Sequence, residues 1–222
     1  MCGRFDLHLP QELLAEIFGI SVGRDIQPRY NITPSQEVLV IRRGREDREM
    51  SFLHWGLIPS WAKDASIGHK TINARSETAH EKPAFKHALR HHRCLIPANG
   101  FYEWFTDGAR KKPFYIHLKK DIPFAFAGLW DHWKSPAGEV IESCTILTTE
   151  ANTLLKRIHD RMPVILDPRD YNIWLNPSIY EIQSLKYLFE PLPADKMEMY
   201  PVSDLVNSPR NDTPECIKPL ET

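Results

Sequence analysis

The chain has no apolar stretch approaching the roughly 18 residues that a membrane-spanning helix needs. Its first residues also lack the basic-then-apolar run of a secretory signal. A cytoplasmic protein, off the membrane, is the expectation. Cysteine is scarce: Cys2, Cys94, Cys144 and Cys216 lie far apart with no CxxC pair, which argues against a disulfide framework or a structural zinc site. There is no P-loop and no GxGxxG, so no nucleotide cofactor is expected. An excess of charge is missing too, with 28 Lys and Arg against 29 Asp and Glu, a net charge of -1. Such a molecule exerts no strong overall pull on a polyanion, and any nucleic-acid binding must come from a local cluster of arginines. Internal repeats and low-complexity linkers are absent. One domain over residues 1–222 is expected, with residues 207–222 as an extended C-terminal tail in the proline-rich SPRNDTPECIKPL.

What is present reads as α+β. A helix is expected from Pro10 to Phe18, where proline suits the first turn, Leu13, Leu14, Ile17 and Phe18 share a face, and Gly19 ends it. EVLVIRR and SFLHWGL read as strands. In RCLIPA-NG-FYEWF, Asn99-Gly100 between two apolar runs predicts a tight hairpin, and Asp107-Gly108 predicts another turn into PFYIHL. FAFAGLW and VIESCTILTT extend this into an antiparallel meander. Further helices are expected at ANTLLKRI, at PRDYNIWL, and from Ser178, where Glu181 completes a capping box. The fold class is α+β: a curved, mainly antiparallel, barrel-like sheet with flanking helices.

The candidate chemistry starts at the chain's beginning. Removing Met1 would leave Cys2 as a 1,2-aminothiol, an amine and a thiol on neighbouring carbons. Cys2 reads equally as a small apolar residue at a strand start. In FYEWF, strand alternation puts Glu103 on a face with Phe101 and Phe105, opposite Tyr102 and Trp104. A partly desolvated carboxylate suits general acid–base work. His159, in RIHDRMPVIL, has the ring that shuttles protons near pH 7, with Asp160 and Arg161 beside it. TINARSET sets Asn73 and Arg75 on one side of an extended segment. Asparagine both donates and accepts, and arginine binds phosphate in a fork. Arg4, Arg29 in PRYNITP and Arg161 complete a candidate phosphate-binding set, and Trp61 and Trp104 are aromatics able to stack on a base. HALRHHR places His87 and His91 on one helical face, but with no HExxH and no third ligand it reads as a polar face, and no metal is assigned.

In order along the chain, MCGRF, RYNITPSQ, HWGLIPSW, INARSET, RCLIPANGFYEW and IHDRMPVIL resemble the successive motifs of the SRAP (SOS response-associated peptidase) family, also described as abasic-site-processing proteins. The resemblance runs from Cys2 to about Val206. It implies that Met1 is excised, autocatalytically or otherwise, and that the freed cysteine becomes covalently attached to an abasic site in single-stranded DNA. By matching motifs, it implies Cys2 as nucleophile, Asn73 as orienting residue, Glu103 as acid–base carboxylate and His159 as active-site histidine. Arg4, Arg75 and Arg161 resemble positions near the DNA backbone, and Trp61 resembles an aromatic wedge at a duplex junction. The expected enzyme is a crosslinking protein with thiol autopeptidase activity and lyase activity as a further option, acting as a monomer with no cofactor and associated with the nucleoid when it acts on DNA. One competing reading is an N-terminal-nucleophile amidohydrolase of the glutamine amidotransferase type, which also begins Met-Cys-Gly. Others are a thiol protease acting in trans, and a non-catalytic reader of modified bases that would not need Cys2 or Glu103.

Overall fold

The computed structural model describes residues 2–220 apart from Val22, Arg24, Glu46 and Ala109. In chain order the strands and helices are β1 (Phe5–Leu7), α1 (Gln11–Phe18), β2 (Arg29–Ile32), β3 (Glu37–Arg43) and β4 (Arg48–Trp55). After a long loop come β5 (Asn73–Arg75), α2 (Lys86–His91), β6 (Arg93–Ala98), β7 (Gly100–Asp107) and β8 (Arg110–Leu118). The last part holds β9 (Phe124–Lys134), β10 (Val140–Glu150), β11 (Arg161–Pro163), β12 (Ile165–Leu166), α3 (Tyr171–Leu175) and β13 (Met197–Pro201).

Two sheets share the work. β10, β4, β3, β6 and β9 pair in that order, and β9 pairs back onto β10, so these strands close into a barrel. Only the β4–β10 contact in this ring is parallel. Closure removes the open edges that a sheet would otherwise present to solvent. The second sheet is open, in the order β13-β8-β7-β1-β2. One large apolar core runs through both, from Cys2 and Phe5 to Trp55, Phe126, Ile146 and Trp174. The α+β, barrel-like expectation holds. Among the described residues no helix is long and apolar enough to cross a membrane.

The first helix runs as expected and ends at Gly19 in the left-handed region, φ 61°. Asp107-Gly108 is a hairpin: β7 and β8 pair down to Asp107 opposite Arg110, with Gly108 at φ 60°. Asn99-Gly100 is not. β6 belongs to the barrel and β7 to the open sheet, so the two apolar runs never pair, and the chain turns a corner between sheets. Asn99 is spent on β1, its N–H donating to the Asp6 carbonyl (3.0 Å) and its Oδ1 accepting from the His8 N–H (2.9 Å). Gly100 is required because a Cβ there would lie 2.4 Å from the Tyr115 ring. The meander accordingly becomes two hairpins, β7–β8 and β9–β10, in different sheets.

Two later helices also differ from expectation. ANTLLKRI forms a single 3-10 turn, Leu155–Arg157. Its loop must return β11 antiparallel to β10, with Glu150 opposite Arg161, and the Ala151 N–H to Asp160 carbonyl bond (2.9 Å) closes it too soon for a longer helix. The element expected at Ser178 starts at Ile182, because Asn176 takes the Ser178 and Ile179 N–H groups in a local turn that competes with capping. The C-terminal segment lies along the open sheet with two 3-10 turns, Asp204–Asn207 and Pro214–Ile217, and buries Val206 and Cys216 against Tyr102 and Tyr115.

Candidate active site and nucleic-acid interface

The site lies where β1 begins. Phe5 pairs with Phe101 across β1 and β7, and the Tyr102 N–H donates to the Arg4 carbonyl (2.9 Å), so the residues before β1 run alongside FYEW. β1 is held from its far end by the buried Asp6 carboxylate, which accepts from the His8 ring (Nδ1, 2.6 Å) and from the Tyr115 hydroxyl (3.1 Å). From the barrel side, β5 pairs with β10 and places Asn73 below the chain start, where its Nδ2 donates to the Cys2 carbonyl (3.0 Å). Asn73 Oδ1 is buried and takes no hydrogen bond among the described residues.

Cys2 is fully buried, its Sγ 3.8 Å from the Arg4 carbonyl oxygen. Burial, and then the nearby Glu103 carboxylate, push its thiol far above the usual range. Glu103 is 3% exposed, which meets the expectation of a desolvated carboxylate in FYEWF. His159 Nδ1 lies 2.9 Å from the Arg161 backbone nitrogen and 3.2 Å from the Arg161 carbonyl oxygen. A cavity of about 470 Å³ opens here, lined by Arg4, Glu103, Trp104, Thr106, Lys111, His159 and Asn207.

The structure therefore brings Arg4, Glu103, Trp104 and His159 to one cavity, with Cys2 buried near Glu103 and Asn73 bonded to the Cys2 carbonyl. The Arg4 guanidinium lies 5.6 Å from the Trp104 ring centre and donates to Asn31 Oδ1 (2.6 Å) and the Val206 carbonyl. Trp104 Nε1 donates to Asn207 Oδ1 (2.7 Å), so the C-terminal segment holds both side chains in place.

The other predicted DNA-binding residues stand outside this lining. Arg29 pairs with Asp212 and donates to Gln36 Oε1 (2.9 Å). Arg161 forks onto Glu77 (2.7 and 2.8 Å) and donates to the Thr148 carbonyl (2.7 Å). Arg75 is exposed on β5, opposite Thr148 of β10. Trp61 is 59% exposed in the loop after β4, its Nε1 donating to the Pro83 carbonyl (3.3 Å).

Thr106, Lys111 and Asn207 escaped the sequence reading. The Asp107-Gly108 hairpin carries a usable signal for the first two, since its register sets Thr106 opposite Lys111 at the cavity. KKPF read alone looks like a solvated charge cluster. Asn207 has no local signal, because the tail's path over the open sheet decides its place.

A sequence profile described as SOS response associated peptidase (SRAP) matches residues 1–209. The chain is 47% identical to the abasic site processing protein YoqW of Bacillus subtilis (strain 168), over 98% of this chain and 99% of that one. It is 34% identical to the abasic site processing protein HMCES of Xenopus tropicalis, over 86% of this chain and 66% of that one. A crystal structure of a protein from Bacteroides thetaiotaomicron superposes with a TM-score of 0.90 at 28% identity, covering 99% of this chain and all of that one. The motifs, the fold and the cavity agree with these likenesses: the chain belongs to the SOS response associated peptidase family.

Proposed function

We propose that this protein processes abasic sites in DNA, binding the lesion in a single strand and linking to it covalently through Cys2 once Met1 is gone. The observation that carries the reading is that Cys2 lies near Glu103, which together with His159 lines a cavity rimmed by Arg4, Lys111 and Trp104. An abasic sugar opens to an aldehyde. An N-terminal amine titrates near 8, so a useful neutral fraction exists at pH 7 to attack it. Loss of water gives an imine, and the thiol of the same residue then adds to the imine carbon, closing a five-membered thiazolidine. One water is lost overall and no oxidant is needed. Ring closure is intramolecular and gains from high effective concentration. The buried, protonated thiol favours this order, amine first and sulfur second. Thiazolidine formation removes the imine that would otherwise promote β-elimination and strand breakage.

Glu103 and His159 serve the proton transfers of sugar opening and dehydration, and Asn73 fixes the direction of the chain end through the Cys2 carbonyl. Removal of Met1 follows from the same thiol adding to the Met1 carbonyl: the Met1–Cys2 C–N bond breaks as the Cys2 nitrogen takes up the thiol proton, and water then hydrolyses the thioester to free methionine and the Cys2 thiol. Arg4 and Lys111 meet phosphates, and Trp104 offers a stacking face. Such contacts are indifferent to sequence and consistent with a net charge of -1. Arg75 and Trp61 belong to a more distant part of the same DNA path. Arg161 and Arg29 join it only by giving up the carboxylates that hold them.

Intact mass before and after incubation with a single-stranded oligonucleotide bearing one abasic site tests the reading. The expected result is a starting mass lacking Met1, then a heat-stable gain of the oligonucleotide's mass less one water, absent in Cys2→Ala. A processed protein that gains no mass sinks the proposal and points to glutaminase assays. A Cys2→Ala protein that binds the lesion as well as the parent would favour the non-catalytic reader.

A further inference from the structure

α2 ends at His91, and the backbone leaves the helix at His92 with φ -126° and ψ 65°. That departure swings the His92 ring under the helix, 5.0 Å from the His87 ring centre, and stacks it on Trp130 at 4.4 Å. β9 meets this ring with Asp131, whose side chain is only 5% exposed. Ligating atoms of His87, His92 and Asp131 all lie within 4.8 Å of one another. The third group that HALRHHR lacked in sequence comes from β9, about forty residues further along the chain, and it pairs with His92 rather than His91.

The spacing is informative. Among the described residues His92 Nδ1 is buried without a hydrogen bond, and it stands 3.7 Å from Asp131 Oδ1. That is too long for a hydrogen bond. It is close to the separation of about 3.4 Å between two ligands of one tetrahedral zinc, given metal–ligand bonds near 2.1 Å. Asp131 is also oriented as metal-binding carboxylates usually are, with Oδ1 accepting the His132 N–H (2.9 Å) and Oδ2 the Ser60 N–H (3.0 Å). His132 Nδ1 lies 3.8 Å from the same Asp131 oxygen but outside the cluster of three, which leaves a fourth position to water. His87 is exposed and needs only a small side-chain rotation to close on the other two.

We infer that His87, His92 and Asp131 bind a divalent transition metal of the zinc class, at a site separate from the Cys2 cavity. Two imidazoles and one carboxylate suit Zn(II), and also Co(II), Ni(II) and Cu(II). The ion would tie the end of α2 to β9. Through the Asp131–Ser60 bond, and the neighbouring Trp133 Nε1 bond to the Ala62 carbonyl (2.7 Å), it would also brace the loop that carries Trp61. Only this last consequence rests on the proposed function. Metal binding itself does not.

The test uses tag-free Cys2→Ala protein, because a freed N-terminal aminothiol would chelate metal on its own. Titration with Co(II), followed by its visible d–d absorption, and with Zn(II) by calorimetry should show one equivalent bound and a rise in Tm. His87→Ala, at an exposed position, should weaken binding at least 10-fold and abolish the Tm rise, and Asp131→Asn should do the same. His91→Ala should bind as the parent does. No binding by the parent, or equal binding by parent and His87→Ala, overturns the inference. So does loss of binding in His91→Ala with retention in His87→Ala. Crosslinking in a protein with Cys2 intact is scored separately, so failure of the metal site and failure of the crosslinking reading remain distinguishable.

Discussion

In the barrel, Cys94 sits on β6 against Gly128 of β9, where even a single added carbon would lie 2.7 Å from its sulfur. At the start of the open sheet, Cys2 is buried to the same degree, but its neighbours are the Asn73 amide and the carboxylate of Glu103, which itself lines an open cavity. Burial pushes both thiols far up. Burial therefore does not separate the reactive candidate from the packing residue. The barrel surrounds its cysteine with groups that fix volume. The seam between sheets surrounds its cysteine with an amide and a carboxylate beside an open cavity.

The sharpest way to break this contrast is to remove the proton-moving group and keep the shape. Glu103→Gln should slow single-turnover crosslinking to an abasic oligonucleotide by about 10²–10⁴-fold, the range for a positioned acid or base, while Tm stays near that of the parent. Cys94→Ala should crosslink at the parental rate. Equal rates for Glu103→Gln and the parent would erase the distinction between the two environments.

The barrel's side of the contrast is steric. Gly128→Ala places a Cβ 2.7 Å from Cys94 Sγ and 2.9 Å from the Ile96 side chain, so it should cost about 1–3 kcal/mol in denaturant unfolding. The double variant Gly128→Ala, Cys94→Ala should recover part of that loss, since the two sites share the same space.

Ionisation offers a third handle. A folded thiol pKa above the unfolded one means that the folded state holds its proton more tightly. The stabilisation is then complete below the unfolded value and is lost as pH rises past it. Cys2, Cys94 and Cys144 all carry raised values, chiefly from burial. Stability should therefore fall above about pH 8.5, by up to ~1.4 kcal/mol per pH unit for each thiol still protonated in the fold. Urea midpoints measured at successive alkaline pH values check this, and Cys94→Ala should flatten the decline. A midpoint unchanged through the alkaline range would mean that the thiols do not govern it.

Legibility in the sequence followed the range of the forces involved. Local signals read well: Gly19 ends α1 in the left-handed region, Asp107-Gly108 makes its hairpin, and Asp167 accepts the Arg169 N–H (3.0 Å) ahead of the 3-10 turn that leads into α3. Signals that depend on where a distant strand goes read poorly. Asn99-Gly100 has hairpin composition, but Tyr115 lies over the glycine and β1 claims the asparagine, so a tertiary contact overrides a local preference. The same limit governs the site. Strand alternation made the burial of Glu103 legible, while Cys2 was singled out by the resemblance alone. Asn207 was not, because only the path of the C-terminal segment brings it to Trp104.

The smallest expected effect tests whether that segment and the β7–β8 hairpin are part of the DNA surface. Lys111 stands opposite Thr106 on the hairpin and lines the cavity together with Arg4. A lysine used as a point charge on phosphate contributes through counterion release. Lys111→Ala should therefore weaken binding to single-stranded abasic DNA only a few-fold at moderate salt and lower the slope of log K against log salt by about 0.7, the single-strand value for one phosphate contact. Lys218, paired with Glu215 on the far part of the tail, is the control, and Lys218→Ala should leave the slope unchanged. Equal slopes for the parent and Lys111→Ala would confine the DNA contact to Arg4 and the aromatic face of Trp104. The cavity would then be a pocket for the sugar alone, with the phosphates on either side held elsewhere.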